Sequence, residues 1–265
     1  MAVSVKVRVP GTTANCGPGF DSVGIACTIY NELALTLSEQ EGVEITVRGQ
    51  GAGIIPTEEK NIAYRAVREV LRRVDREYPG VKIEMNNDIP LARGLGSSAA
   101  AIVAGLVAAN AATGGQLSPE HILDMATAME GHPDNVAPAI LGGITVSLME
   151  GEKPRSLRFL SPGTLKMAVV IPDFGLSTRA ARQVLPKTVN FADAVFNVSR
   201  AAMLVAALSQ GKLDVLKYSL KDKLHQPYRE KLIPGMNDVL ASAVEAGALG
   251  AVLSGAGPCL IAFTS

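Results

Sequence analysis

The residues with the plainest chemical potential are Gly94, Gly96, Ser97 and Ser98, within Pro90-Leu-Ala-Arg-Gly-Leu-Gly-Ser-Ser-Ala-Ala-Ala101. Glycine takes φ > 0 freely and lets a ligand approach the backbone. The two serines fall where a helix would begin, so their hydroxyls can cap it or reach a bound ion. Residues 99–112 then form an uncharged, mostly Ala/Val/Ile/Leu run. A glycine loop that opens onto a helix N-terminus offers unpaired N–H groups and the positive end of the dipole. That is an anion site, and phosphate is its usual occupant. The string G-x-x-x-x-G-K-[ST] is absent, so this is not a Walker loop. Gly94-x-Gly96-x-x-Ala99 fits the loose dinucleotide pattern. However, the polar residues 86–93 separate it from the preceding strand, and no acidic residue follows until Glu120.

The elements that must position this loop follow from periodicity. Val3, Val5, Val7 and Val9 alternate with Ser4, Lys6 and Arg8 as a half-buried strand. It runs into a turn-rich loop, Pro10 to Asp21, in which Asn15 and Asp21 are short polar side chains among glycines, suited to Asx-turns. Further strands are expected near residues 33–37, 43–47, 81–85, 144–148, 157–160, 167–171, 251–253 and 260–263. A helix begins at Asn61, with Ile62, Ala66, Val67, Val70, Leu71 and Val74 on one face. Another opens at Ser118-Pro119 and stops at Glu130-Gly-His-Pro-Asp-Asn135. Ser177 caps a helix carrying Arg179 and Arg182. Residues 191–209 form a strongly apolar helix expected in the core, and shorter helices follow near 213–220 and 236–246. Polar Gly151-Glu-Lys-Pro154 breaks both periods and reads as a linker, dividing the chain into residues 1–150 and 151–265. Strands and helices without regular βαβ alternation make the class α+β.

Composition narrows the partners. The 265 residues are 48% hydrophobic, enough for one large domain or two modest ones. Lys+Arg and Asp+Glu both number 25, and aromatics are 4%, so nothing favours capture of nucleic acid or an acidic membrane. Cys16, Cys27 and Cys259 are odd in number and lack metal-ligand spacing, as expected of free thiols in a reducing compartment. The N-terminus alternates and has no apolar signal region. Residues 94–119 carry no charge, but Asn110, Thr113, Gly114 and Gly115 interrupt them, which suits a buried helix with close neighbours better than a membrane span. The expectation is a soluble cytoplasmic protein.

The whole string Pro-x-x-x-Gly-Leu-Gly-Ser-Ser-Ala resembles the nucleotide-binding motif of the galactokinase, homoserine kinase, mevalonate kinase and phosphomevalonate kinase (GHMP) superfamily. Two further superfamily motifs stand in order, Val9-Pro-Gly-Thr-Thr-Ala-Asn-Cys-Gly-Pro-Gly-Phe-Asp21 and Leu253-Ser-Gly-Ala-Gly-Pro258. Asn15-Cys-Gly-Pro-Gly-Phe-Asp21, Glu130-Gly-His-Pro-Asp-Asn-Val-Ala-Pro-Ala139, Ser177-Thr-Arg-Ala-Ala-Arg-Gln-Val-Leu-Pro186 and Tyr228-Arg-Glu-Lys-Leu-Ile-Pro234 are similar to the homoserine branch. The resemblance covers the whole chain. It implies a two-domain fold, ribosomal-protein-S5-domain-2-like at the N-terminus and ferredoxin-like at the C-terminus. Family members continue past the third motif with a helix and a strand, so the second domain is expected to be cut short at Ser265.

The same resemblance implies an ATP-dependent kinase using Mg²⁺ and acting on L-homoserine in threonine biosynthesis. Pro90, Leu91, Ala92, Arg93, Gly94, Leu95, Gly96, Ser97, Ser98, Ala99 and Ala100 would cradle the nucleotide. Ser98 and Glu130 would hold the metal, which keeps several waters and takes few protein ligands. A carboxylate at the end of a helix opposes the dipole, and a cation there relieves it. Asp21 would meet the substrate ammonium, and Arg182 and Arg229 its carboxylate, arginine offering a bidentate fork. Asn15, Thr178, His132 and Asn135 would line the same pocket. Asn135 would stand nearest the reacting hydroxyl with Asp134 beside it, catalysis resting on positioning and charge neutralisation rather than on a strong base. A mevalonate- or isoprenoid-type acceptor, or a non-catalytic nucleotide-binding relative, are the alternatives, and a homodimer is left open.

Overall fold

The computed structural model describes residues 2–160 and 163–265. The first half is built on β1 (Val3–Ala14), β2 (Val23–Ser38), β3 (Gly42–Gly49), β4 (Gly80–Asn87), β5 (Ile144–Glu150) and β6 (Lys153–Phe159). They form one sheet in the order β3-β4-β2-β5-β6, with β1 also paired to β2. Only β3 and β4 run parallel, and α1 (Ile62–Arg73) makes their crossover. The β1–β2 register shifts between Pro10 and Thr12. Such an irregularity bends a strand, and here it precedes the segment Thr12–Thr13–Ala14, all fully buried.

Four helices pack with this sheet: α1, α2 (Ser97–Ala112), α3 (Pro119–Glu130) and α4 (Pro133–Leu141). Helix α1 is amphipathic as its spacing predicts, and Asn61 caps it by accepting from the amides of Ala63 and Tyr64. Helix α2 is apolar all round and buried, so it is the centre of the main core. Gly105 makes that possible: a Cβ there would lie 2.4 Å from the Ala63 carbonyl oxygen of α1.

The second half holds a smaller antiparallel sheet, β7 (Lys166–Val170), β9 (Leu260–Thr264) and β8 (Gly250–Leu253), in the order β7-β9-β8. Around it lie α5 (Thr178–Gln183), α6 (Phe191–Gln210), α7 (Leu216–Ser219), α8 (Gln226–Arg229) and α9 (Met236–Glu245). Leu204 and Leu208 of α6 share a core with Val23 and Ile25 of β2, Ile144 of β5, and Ile261 and Phe263 of β9. The two halves are therefore joined through a common apolar cluster.

Two expectations are corrected. Gly151 and Glu152 are the tight turn of the β5–β6 hairpin, with Glu150 opposite Lys153 and Gly151 at φ 62°. A positive φ at the first central residue is what a two-residue hairpin demands, so this polar stretch is a turn inside the first sheet. A boundary at 150/151 would cut that hairpin, and sheet membership changes only between Phe159 and Lys166. Second, α6 is not wholly in the core. It buries Leu204, Ala207 and Leu208, while Phe191 (83% exposed), Val195 and Val198 (69%) face outward at helical spacing. The polar residues Asp193 and Asn197, one turn apart, face the protein: Asn197 is buried, donating to the Pro18 carbonyl and accepting from the Lys223 amide, and Asp193 pairs with Lys223, so the polarity pattern points to the wrong side. Among the described residues α6 alone is long and apolar enough to cross a membrane.

Candidate active site

The three motifs meet in one polar cavity of about 660 Å³. Asn15 and Asp21 enter from the β1–β2 loop, Ala92, Arg93, Gly94, Gly96, Ser97 and Ser98 from the glycine loop, and Glu130, His132, Asp134 and Asn135 from the α3–α4 junction. Thr178 and Arg182 come from α5, Arg229 from α8, and residues 255–257 from the β8–β9 turn.

The glycine loop opens α2 as expected, but neither serine caps it. Gly96 is the N-cap, left-handed at φ 68° and without a capping side chain. The first amide bonded back along the helix is that of Ala100, to the Gly96 carbonyl. The N–H groups of Ser97 and Ser98 are thus left toward the cavity, the arrangement an anion requires. Ser98 instead donates to Glu130 Oε2 at 2.9 Å. Burial pushes the Glu130 carboxyl up, and the Ser98 hydrogen bond partly offsets this. A desolvated carboxylate beside a hydroxyl at the mouth of an anion site is a donor set that fits Mg²⁺, which draws its other ligands from water and phosphate.

The third motif stitches the loop in place. Ser254 donates to the Gly94 carbonyl at 2.6 Å, with Thr13 Oγ1 2.9 Å from the same hydroxyl. The amide of Cys259 donates to the Arg93 carbonyl, and that of Gly255 to Ala14. A Cβ on Gly94 would fall 2.2 Å from the Ser254 carbonyl oxygen.

The opposite wall carries the charges. Arg182 grips Asp21 with both guanidinium nitrogens, at 2.7 and 3.0 Å, and this bond holds Arg182 above its ordinary range. Arg229 is 1% exposed. It donates to the carbonyls of Ala181 and Gly255 and to His225 Nδ1. Burial, and then the neighbouring Arg182 charge, bring its pKa down to about 10. His225 lies 2.8 Å from the Gly17 carbonyl through Nε2, which makes Nε2 the protonated nitrogen and Nδ1 the acceptor. Phe20 stacks on His225 and lies under both guanidinium groups.

Asn15 is locked at both ends, its amide nitrogen donating to the Gly255 carbonyl and its oxygen accepting from the Asp21 amide. Asp21 is left-handed at φ 55° and turned toward Arg182 rather than held in an Asx-turn of its own. Asp134 is buried at the start of α4 and hydrogen-bonded to His132 Nδ1. For His132, burial disfavours the cation, but the Asp134 hydrogen bond and charge outweigh it and raise the pKa.

Of the expected nucleotide residues, Ala92, Arg93, Gly94, Gly96, Ser97 and Ser98 line this cavity. Leu91 lines an adjoining one, while Pro90, Leu95, Ala99 and Ala100 line neither. Leu95, Ala99 and Ala100 are core side chains that shape the loop from beneath. The adjoining cavity, about 930 Å³, shares Ala92, Ser97, Ser98, Leu176 and Thr178 with the first. Its remaining wall is largely apolar, with Ile55, Pro56, Ile62 and Met85, edged by Asn61 and Asn87. Sequence reasoning missed it, because these residues come from three separate segments, the loop before α1, α1 with its cap and β4, and most of them read as core or cap. Thr12, Ser254 and His225 were also missed as supports of the site.

Residues 61–143 match the family model of the GHMP kinases N terminal domain, and residues 204–265 that of the GHMP kinases C terminal. Fold and site together define an ATP-dependent small-molecule kinase of that class. The homoserine kinase of Moorella thermoacetica is 53% identical over 257 residues, 97% of this chain and 86% of that protein. That of Trichormus variabilis is 48% identical over 259 residues, 98% and 86% of the two chains. The crystal structure of homoserine kinase from Cytophaga hutchinsonii superimposes with a TM-score of 0.90 at 34% identity, covering 98% and 85%. The chain belongs to the homoserine kinases of the GHMP superfamily. A mevalonate kinase from L. major, at 19% identity and TM-score 0.74 over 98% of this chain and 87% of that one, shares the fold.

Proposed function

We propose that this chain transfers the γ-phosphoryl group of ATP to the side-chain hydroxyl of L-homoserine, giving O-phospho-L-homoserine for threonine biosynthesis. The observation that carries the reading is the paired charge wall across from the glycine loop. Asp21 and Arg182 neutralise each other, with Arg229 buried behind them. A zwitterionic amino acid replaces that internal pair with two pairs, ammonium to Asp21 and carboxylate to the arginines. A ligand with only one of these charges leaves a partner uncompensated. A mevalonate-type acceptor has no ammonium for Asp21.

The unpaired amides at the start of α2 would receive the phosphates, and the adjoining apolar cavity would take the base, with the α3–α4 junction lining the first cavity beside them. Ser98 and Glu130 would hold Mg²⁺, which would supply charge neutralisation at the phosphates. Asn15, His132 and Thr178 close the substrate pocket, and Asn135 meets the acceptor hydroxyl. Asp134, held by His132, shapes the junction. The three buried, unpaired cysteines suit work in the cytoplasm.

The test is ADP release measured against a panel of alcohols: L-homoserine, mevalonate, and homoserine analogues lacking the ammonium or the carboxylate. Turnover with L-homoserine and not with the singly charged analogues is expected. No turnover with L-homoserine overturns the proposal. In Asp134→Asn, a fall in kcat on the order of 10³-fold or more, the upper range for a general base, would overturn catalysis by positioning.

A further inference from the structure

We infer that Thr12 is a positioning residue that sets which end of the Asn135 amide faces the reacting hydroxyl, an inference that rests on the kinase reading above. Thr12 lies just after the register shift in β1 and is fully buried. Its amide donates to the Leu95 carbonyl in the glycine loop, and its hydroxyl donates to Asn135 Oδ1 at 2.8 Å. Gly96 leaves the room for this contact. A Cβ there would fall 2.0 Å from Thr12 Oγ1 and 3.1 Å from Asn135 Oδ1. One threonine therefore touches the phosphate loop through its backbone and the catalytic asparagine through its side chain.

The two ends of an amide are chemically opposite: the oxygen only accepts and the nitrogen only donates. With Oδ1 held by Thr12, the NH₂ end is what Asn135 offers to a ligand in the cavity it lines. Turned over, the amide would point its NH₂ at the threonine hydroxyl. That hydroxyl's proton would then lose the one acceptor it has among the described residues. The Thr12 proton thus fixes Asn135 as a donor, able to hold the acceptor hydroxyl by its oxygen lone pair but unable to take its proton. Asn135 then aligns the nucleophile without acting as a base, and the alignment is referred to the same strand that holds the phosphate loop.

The experiment uses the full chain with Thr12→Val, which keeps the shape and removes the donor, and Thr12→Ser, which keeps the donor. Parent turnover with L-homoserine is the control, and its absence would defeat the kinase reading rather than this one. The expected result for Thr12→Val is a kcat lowered by about 10²-fold, the scale of a misaligned reacting group. KM for ATP and for homoserine should stay near the parent values. Thr12→Ser restores kcat to within about fivefold, the residual being one lost methyl. Unchanged kcat in Thr12→Val overturns the inference. So does a loss that Thr12→Ser fails to rescue, or one that appears equally in both KM values, since either marks a merely structural role. If the valine chain does not fold, Thr12→Ala, which also has no donor, takes its place with the same expectations.

Discussion

At the residue scale the cavity is an exercise in keeping charges matched before a ligand arrives. Asp21 and Arg182 form a bidentate pair, and Asp21→Asn removes the partner of both Arg182 and an incoming ammonium. KM for homoserine should rise about 10- to 100-fold, as for a lost charged hydrogen bond, with KM for ATP unchanged. Steady-state kinetics with each substrate varied in turn would check it. The two site histidines should respond to pH with opposite signs. His225 is fully buried, and burial holds its pKa below the ordinary value. The unfolded chain takes up that proton first as pH falls, so this contribution is present above about pH 6.5 and lost on acidification. His132 has a raised pKa, so its contribution is present below about pH 6.5 and lost as pH rises through the folded value. Melting temperatures recorded from pH 5 to 8 should fall less steeply on acidification in His225→Gln than in the parent. An equal slope would place the acid sensitivity elsewhere.

At the scale of elements, α2 is the axle, and its tightest bearing is Gly105 against α1. Helix propensity alone makes Gly105→Ala stabilising by about 1 kcal/mol. The 2.4 Å approach of the new methyl to the Ala63 carbonyl oxygen predicts the reverse. Forcing the helices apart should cost about 1–3 kcal/mol, the usual range for overpacking, and denaturant titration would read it. The legibility of each element tracked how one-sided its burial is. Helix α1 has a polar and an apolar face, so its span, cap and buried side were all readable from Asn61 onward. β1, alternating at its start, was readable to Val9, and its buried extension through Ala14 was not, because alternation ends where both faces are covered. Helix α6 turns Asp193 and Asn197 inward onto Lys223 and the Pro18 carbonyl, so its polarity pattern gives no sign of its apolar exposure. A tight turn and a linker draw on the same residues, so spacing alone cannot tell the hairpin turn at Gly151 from a linker.

For the molecule as a whole, the parts of the candidate site legible in the sequence are local. The glycine loop, the Asn15–Asp21 loop and the Glu130–Asn135 junction are short polar strings, and the structure brings them to one cavity. What bridges them was not legible: Thr12 to Asn135, Ser254 to Gly94, and Arg229 to Gly255 join positions distant in the chain, and single-sequence spacing carries no trace of such contacts. The adjoining apolar cavity was hidden for the same reason. The outer stripe of α6 has a separate consequence. Phe191, Val195 and Val198 expose adjacent apolar surface, and contiguous patches of that kind drive association. Sedimentation should show concentration-dependent self-association of this 265-residue chain, weakened in Phe191→Lys/Val198→Glu with kcat unchanged.

The stitch between Ser254 and the Gly94 carbonyl bears on when, during synthesis, the chain becomes an enzyme. The phosphate loop is made early, within the first hundred residues, yet its carbonyls at Arg93 and Gly94 are held by Cys259 and Ser254. Chains emerge and fold from the N-terminus, so the first sheet and α2 can assemble while the loop still lacks its clasp. A nascent chain that has not yet reached Ser254 and Cys259 would hold a folded first sheet and α2 with the glycine loop still unclasped.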